Sequence, residues 1–181
     1  MENLEEKTIA KETIFKGKVI ELELLDVELP NGEKSKREII KHPGAVAIIP
    51  LLSDGRLVLV EQFRKPLERT ILEIPAGKME QGEAQEVTAI RELEEETGYS
   101  SDNFCYLTSF YTAPGFADEI LHIYVAHELK VVEKRRKMDA DEFINLVSVT
   151  LEEAKQLISE QLIIDAKTMY AIQYLELQLN L

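Results

Sequence analysis

Glu92, Glu95 and Glu96 stand three and four residues apart, so on a helix their carboxylates share one face. Like charges at that spacing weaken a helix by roughly a few tenths of a kcal/mol per pair. Arg91 lies four residues before Glu95 and can pair with it, but one guanidinium does not neutralise three carboxylates. A solvated acidic face is one reading of such a helix. The other is a seat for divalent cations, since hard cations take oxygen ligands and Mg²⁺ is typically held by one or two carboxylates together with substrate phosphates. Net charge is compatible with that reading, although for most of the acidic residues a soluble surface is role enough. The chain carries 34 acidic against 21 basic residues, a formal charge of −13. A protein that grips nucleic acid by neutralising phosphates shows a basic surface instead, so no nucleic-acid partner is expected. An acidic chain acts on phosphates when cations bridge the two negative partners.

These residues need a helix to carry them. Residues 83–97 are rich in strong helix formers, place Val87, Ile90 and Leu93 roughly on one face, and end at Gly98, a C-terminal stop signal. Thr150 followed by Glu153 is a capping box for a helix over 151–159, and a last helix is predicted over 165–179, with apolar positions at Met169, Ile172, Leu175 and Leu179. Strands are predicted at 8–15, 19–29 and 35–41, with a turn at Pro30-Asn31-Gly32, then at 45–52 and 57–63 around a Ser53-Asp54-Gly55 hairpin turn. Further strands are expected near Glu73 and at 104–110, 120–129 and 143–147. This order, strands throughout with one helix inserted and two at the end, argues for an α/β fold in which helices cover both faces of a mixed sheet. Residues 1–43 form a small antiparallel β unit before the main domain, 44–181.

The spacing around the helix is specific. Gly77, Glu83, Arg91, Glu92, Leu93, Glu95, Glu96 and Gly98 fall in register with G-x5-E-x7-R-E-U-x-E-E-x-G-U, where U is a bulky aliphatic residue, and only Tyr99 departs from it. The segment resembles the signature of the Nudix hydrolases. The resemblance implies a Nudix α/β/α sandwich. It also implies hydrolysis at phosphorus with Mg²⁺, or Mn²⁺, held by Glu92, Glu95, Glu96 and the carbonyl of Ala76. Gly77, Glu83, Arg91 and Gly98 would then hold the loop and helix together. Within that superfamily Pro114, Glu61-Gln62-Phe63-Arg64 and Leu72-Glu73-Ile74-Pro75-Ala76-Gly77-Lys78 look like the ADP-ribose pyrophosphatase subgroup.

That likeness implies ADP-ribose as substrate, cleaved to AMP and ribose 5-phosphate. Another nucleoside diphosphate sugar, such as GDP-mannose, is the alternative within the same chemistry, and a non-catalytic module that senses ADP-ribose is the alternative outside it. Enzymes of the subgroup use an N-terminal extension like this one to build a homodimer, so Phe15 and Arg37 are expected to contact adenine across the interface. Arg64 is expected at a substrate phosphate, Glu119 at the terminal ribose, and Met79 at the substrate. The catalytic base is sought in 137–143, where relatives often carry a glutamate at the position of Ala140; Asp139, Asp141 and Glu142 are the candidates, with Asp141 and Glu142 preferred.

At 181 residues with 45% hydrophobic content, the chain suits one domain with a small appendage. No apolar run approaches a membrane span, and the charged first residues lack the apolar centre of a signal peptide. Cys105 is the only cysteine and is expected to be a small buried hydrophobe. A cytoplasmic protein without a membrane partner is the expectation.

Overall fold

The computed structural model describes residues 3–133, 136 and 142–179. The chain folds into two compact units: one of Met1–Gly44 with Phe110–Leu121, the other of Ala45–Ser109 with His122–Leu181.

The first unit is built on a meander of β1 (Lys7–Lys16), β2 (Glu21–Glu28) and β3 (Lys34–Lys41), paired antiparallel in that order. The β2–β3 connection is the expected Pro-Asn-Gly turn: Gly32 adopts φ 85° and donates its N–H to the Leu29 carbonyl at 2.8 Å. β1 is exposed along its whole length and presents Ile9, Ile14 and Phe15 at 50%, 51% and 55% exposure. Residues 112–119 close against β3, where the Ile40 N–H donates to the Phe116 carbonyl at 2.8 Å and Asp118 accepts the His42 N–H at 2.8 Å.

The second unit contains β4 (Ala45–Pro50), β5 (Leu57–Arg64), β6 (Arg69–Glu73), β7 (Ala76–Lys78), α1 (Gln85–Thr97), β8 (Tyr99–Ser100), β11 (Lys130–Val131), β12 (Ile144–Val149), α2 (Leu151–Ser159) and α3 (Ala166–Leu179). Two further strands, β9 (Asn103–Tyr111) and β10 (Ile120–His127), lie largely within it. The strands order as β7-β4-β10-β9 and as β12-β5-β6, with a two-stranded β11-β8 ribbon. β7 runs antiparallel to β4. The Leu51 N–H donates to the Ala126 carbonyl, so β4 and β10 meet at their C-terminal ends and run parallel, which makes the sheet mixed. Every residue of β4 is buried, as expected of a central strand covered on both faces.

Alternation sends Val46 and Ile48 to one face, where with Tyr124 and Ala126 they pack against Ala89 and Leu93 of α1. On the other side Leu51, Leu57 and Val125 line one cavity with Leu151 and Ala154 of α2 and Leu175 of α3. The helices therefore sit on both faces of this α/β unit. The predicted capping box forms: Thr150 accepts the Glu153 N–H while Glu153 accepts the Thr150 N–H.

Two expectations need correction. Val87 and Ile90 do not face the core; they are 54% and 36% exposed, and α1 buries Thr88, Ala89, Glu92, Leu93, Glu96 and Thr97 instead. The helix turns Glu92 and Glu96 inward because the chain at Ala76 and Gly77 packs against them. Cys105 is exposed, because it lies on an outward position of β9.

Candidate active site

The acidic face of α1 is brought against the short passage from β6 into β7. Glu96, 2% exposed, accepts the Ala76 N–H at 2.9 Å. Glu92, 7% exposed, lies against Gly77 so closely that a Cβ added there would fall on its carboxylate. Gly77 is therefore required for approach, not for backbone conformation, since its φ is not positive. At the far end of the helix Gly98 is left-handed, φ 71°, and its N–H closes onto the Glu94 carbonyl at 2.9 Å, a conformation glycine adopts without the Cβ penalty.

Arg91 ties loop to helix. Its Nη1 donates to Glu92 at 2.7 Å and to Glu95 at 2.8 Å, its Nε and Nη2 donate to Glu83 at 3.2 and 3.1 Å, and Nη2 also reaches the Lys78 carbonyl at 3.2 Å. Glu83 precedes the helix, which starts at Gln85 after an Ala84 that offers no side-chain cap. Glu83 instead accepts the Thr88 hydroxyl at 2.7 Å. Hydrogen bonding to Arg91 pulls the Glu83 carboxyl down to about 2. Burial works against the Arg91 charge, but Glu83, Glu92 and Glu95 outweigh it and hold the guanidinium firmly protonated.

The two inner glutamates, Glu92 and Glu96, both shift upward, opposite to Glu83. Burial pushes the Glu92 carboxyl up to about 7 against the pull of Arg91, with Glu95 and Glu142 adding like-charge repulsion. Burial pushes Glu96 up to about 8, opposed by the Ala76 N–H and Arg64 and reinforced by Glu92 and Glu142. Two buried carboxylates whose charged forms are disfavoured fit a divalent cation, which takes hard oxygen donors and would offset their charge in a low dielectric. Among the described residues no three acidic or histidine side chains already converge on one point. Arg91 Nη1 occupies one oxygen each of Glu92 and Glu95, so a cation would compete with it there.

Beside this face stands an ion-pair group that the sequence pattern did not single out. Glu73, 2% exposed, takes Arg64 Nε and Nη2 on its two oxygens at 2.5 and 2.8 Å, and Lys167 joins it from α3. A carboxylate inside the apolar run Ile71-Leu72-Glu73-Ile74 was the available signal, because a buried charge needs partners.

A protein-family profile described as the NUDIX domain matches residues 41–170. The chain belongs to the Nudix family. Members of this family generally use divalent metal ions. The chain is 61% identical to the ADP-ribose pyrophosphatase of Bacillus subtilis (strain 168) over 178 residues, covering 98% of this chain and 96% of the relative. It is 58% identical over 174 residues to the methanol dehydrogenase activator of Bacillus methanolicus, covering 96% and 94%. A crystal structure of an ADP compounds hydrolase superposes with a TM-score of 0.85 over 98% of this chain and 96% of that one; at 23% identity this likeness speaks for the fold.

Within this Nudix chain the box residues Gly77, Glu83, Arg91, Glu92, Glu95 and Glu96 meet together with Ala76. The other sequence-predicted positions are more scattered. Arg64 is engaged with Glu73. Met79 packs against the hydrophobic cluster under α1. Glu142 acts electrostatically on both Glu92 and Glu96, whereas Asp139, Ala140 and Asp141 lie outside the described residues. Three positions belong to the first unit. Phe15 is exposed on β1, Arg37 on β3 pairs with Glu6 at 2.5 Å and with Ser35 at 2.9 Å, and Glu119 accepts the Thr112 hydroxyl and lies 3.6 Å from His42.

Proposed function

We propose that the protein hydrolyses the diphosphate of ADP-ribose, using Mg²⁺ or Mn²⁺, to give AMP and ribose 5-phosphate. The observation that carries the chemistry is the buried pair Glu92 and Glu96, seated against Gly77 and the Ala76 N–H. The substrate follows from near-full-length likeness to a protein named for that activity. Glu92, Glu95, Glu96 and the Ala76 carbonyl would hold the cations. When bound, such ions neutralise charge on the diphosphate oxygens and lower the pKa of a bound water. Arg91 and Glu83 fix the carboxylates relative to the loop. Arg64 donates to a diphosphate oxygen. Glu142, whose charge both inner glutamates feel, accepts the proton of the attacking water, with Asp141 as the other candidate. Water adds to one phosphorus as the bridging P–O bond breaks, and each product leaves as a monophosphate.

Product analysis on a panel of ADP-ribose, GDP-mannose, NADH and diadenosine polyphosphates with Mg²⁺ tests this. AMP and ribose 5-phosphate from ADP-ribose at the highest kcat/KM is the expected result. Preference for another compound would move the substrate assignment, and no cleavage at all would return the sensing module as the better reading.

Metal removal should depend on pH. In the metal-free protein burial pushes the Glu92 carboxyl up to about 7 and that of Glu96 up to about 8, above the ordinary carboxyl value of 4.5. The folded state therefore holds protons that the unfolded chain has lost. The stability this confers is full below 4.5 and disappears as pH rises through the folded values. A divalent cation relieves the resulting repulsion, so chelation should lower Tm more at pH 8.5 than at pH 6. Calorimetry showing equal shifts at the two pH values would remove these carboxylates from the metal site.

The first unit completes the proposal. Ile9, Ile14 and Phe15 leave an apolar strip along the open edge strand β1, and a second copy of the chain covers it in our reading, bringing Phe15 and Arg37 to the adenine across the interface, with Glu119 at the terminal ribose. Ile14→Asp is expected to yield a monomer by light scattering, with KM raised about tenfold or more as the adenine contact is lost. A variant that is monomeric with unchanged KM would show that the site is not shared.

A further inference from the structure

The first turn of α3 grips the strand that feeds the catalytic box at two consecutive residues. At the first, Lys167 reaches Glu73 Oε2 and pairs with Asp165 at 3.2 Å. At the second, the fully buried Thr168 accepts the Ile74 N–H on its Oγ1 at 2.9 Å. Asp165 caps the helix, taking the Thr168 N–H at 3.1 Å and the Thr168 hydroxyl at 2.6 Å. Two residues further along the same strand passage, the Ala76 N–H meets Glu96.

Glu73 is thus held from both sides. Arg64 approaches with a bidentate fork, Nε at 2.5 Å and Nη2 at 2.8 Å, a geometry that fixes the plane of the guanidinium. That fork leaves Arg64 Nη1 without a partner among the described residues, on a side chain that is 39% exposed and within electrostatic reach of Glu96. A second cation on the same carboxylate, Lys167, anchors Glu73 from the helix side and is itself balanced by Asp165, so its part is to hold the carboxylate, and through it the guanidinium, in place.

We propose that Lys167 is a positioning residue of the diphosphate site: by sharing Oε2 of Glu73 with Arg64 it holds the carboxylate, and so fixes Arg64 with the Nη1 edge that has no partner among the described residues available to a diphosphate oxygen. The inference rests on the hydrolase reading above. It makes α3, which contributes no residue to the Nudix box, a determinant of substrate affinity.

The test compares the full-length protein with Lys167→Met and Lys167→Arg. Kd for inorganic pyrophosphate with Mg²⁺ is measured by titration calorimetry, and KM and kcat for ADP-ribose from initial rates. Lys167→Met is expected to weaken pyrophosphate binding and raise KM about tenfold, one charge-assisted contact, with kcat within about threefold. Lys167→Arg should recover most of the loss. Because Lys167 acts through Arg64, adding Lys167→Met to Arg64→Met should raise KM no further. A purely structural lysine would lower Tm and the active fraction while leaving Kd and KM in place; that result, or multiplicative effects in the double variant, overturns the proposal. Should Lys167→Met not fold, Glu73→Gln/Lys167→Met removes the opposed charges together, and an unchanged Kd in that variant overturns it equally. A parent protein that binds pyrophosphate but cleaves no substrate would sink the hydrolase reading while the Kd comparison still decides Lys167; a parent that cleaves ADP-ribose but binds no pyrophosphate leaves the hydrolase reading standing, and an unchanged KM in Lys167→Met then overturns the proposal.

Discussion

Glu96→Gln is expected to lower kcat by roughly 10³-fold, since a metal contributes several kcal/mol to the transition state and each 1.4 kcal/mol is a factor of ten. The substitution is close to isosteric, and the amide oxygen can still accept the Ala76 N–H that Glu96 accepts at 2.9 Å. It leaves the packing of α1 untouched and removes a buried acid whose charged form is disfavoured, with its carboxyl pushed up to about 8. Above that pH the metal-free variant should be at least as stable as the parent, because the folded parent bears the repulsion among Glu96, Glu92 and Glu142 and the variant does not. Far-UV circular dichroism, Tm under chelation and initial rates together separate this from a folding defect. Near-normal turnover in a folded variant would sink the assignment of Glu96 to the metal.

Gly77→Ala should be nearly as damaging for a steric reason. An added Cβ falls on the Glu92 carboxylate, so either Glu92 leaves its position or β7 moves off β4. Overpacking of this kind costs typically about 1–3 kcal/mol of stability. Displacing a catalytic group by about 1 Å costs about 10²-fold in rate. We expect kcat/KM to fall by at least about that factor and Mn²⁺ affinity, read by electron paramagnetic resonance, to weaken with it. Parent-like kcat/KM and Mn²⁺ binding would mean that Glu92 need not occupy the place beside Gly77.

Much of this molecule was legible from short-range signals. The hairpin turn at Gly32, the capping box of Thr150 and Glu153, and the stop at Gly98 each depend on residues within a few positions of one another, where backbone and side chain interact locally. The box is legible for a similar reason: Glu83, Arg91, Glu92 and Glu95 meet because a helix places residues three and four apart on one face, with the preceding loop folded back onto it.

The orientation of α1 was not legible. Apolar spacing put Val87, Ile90 and Leu93 roughly on one face, yet only Leu93 of the three is buried, while Glu92 and Glu96 go in. Amphipathicity assumes that burial follows hydrophobicity, and here the close approach of Ala76 and Gly77 to Glu92 and Glu96 inverts that rule. The Arg64–Glu73–Lys167 group was invisible for another reason. Glu73 and Lys167 are 94 residues apart, and no pattern of residue types predicts which lysine will reach a given buried carboxylate. Residue types and their spacing thus specify the chemistry and the local geometry of the groups that carry it. Which face of the helix is inside, why residue 77 has no room for a side chain, and what holds Arg64 emerge only in the folded chain, because each depends on close packing between segments distant in sequence.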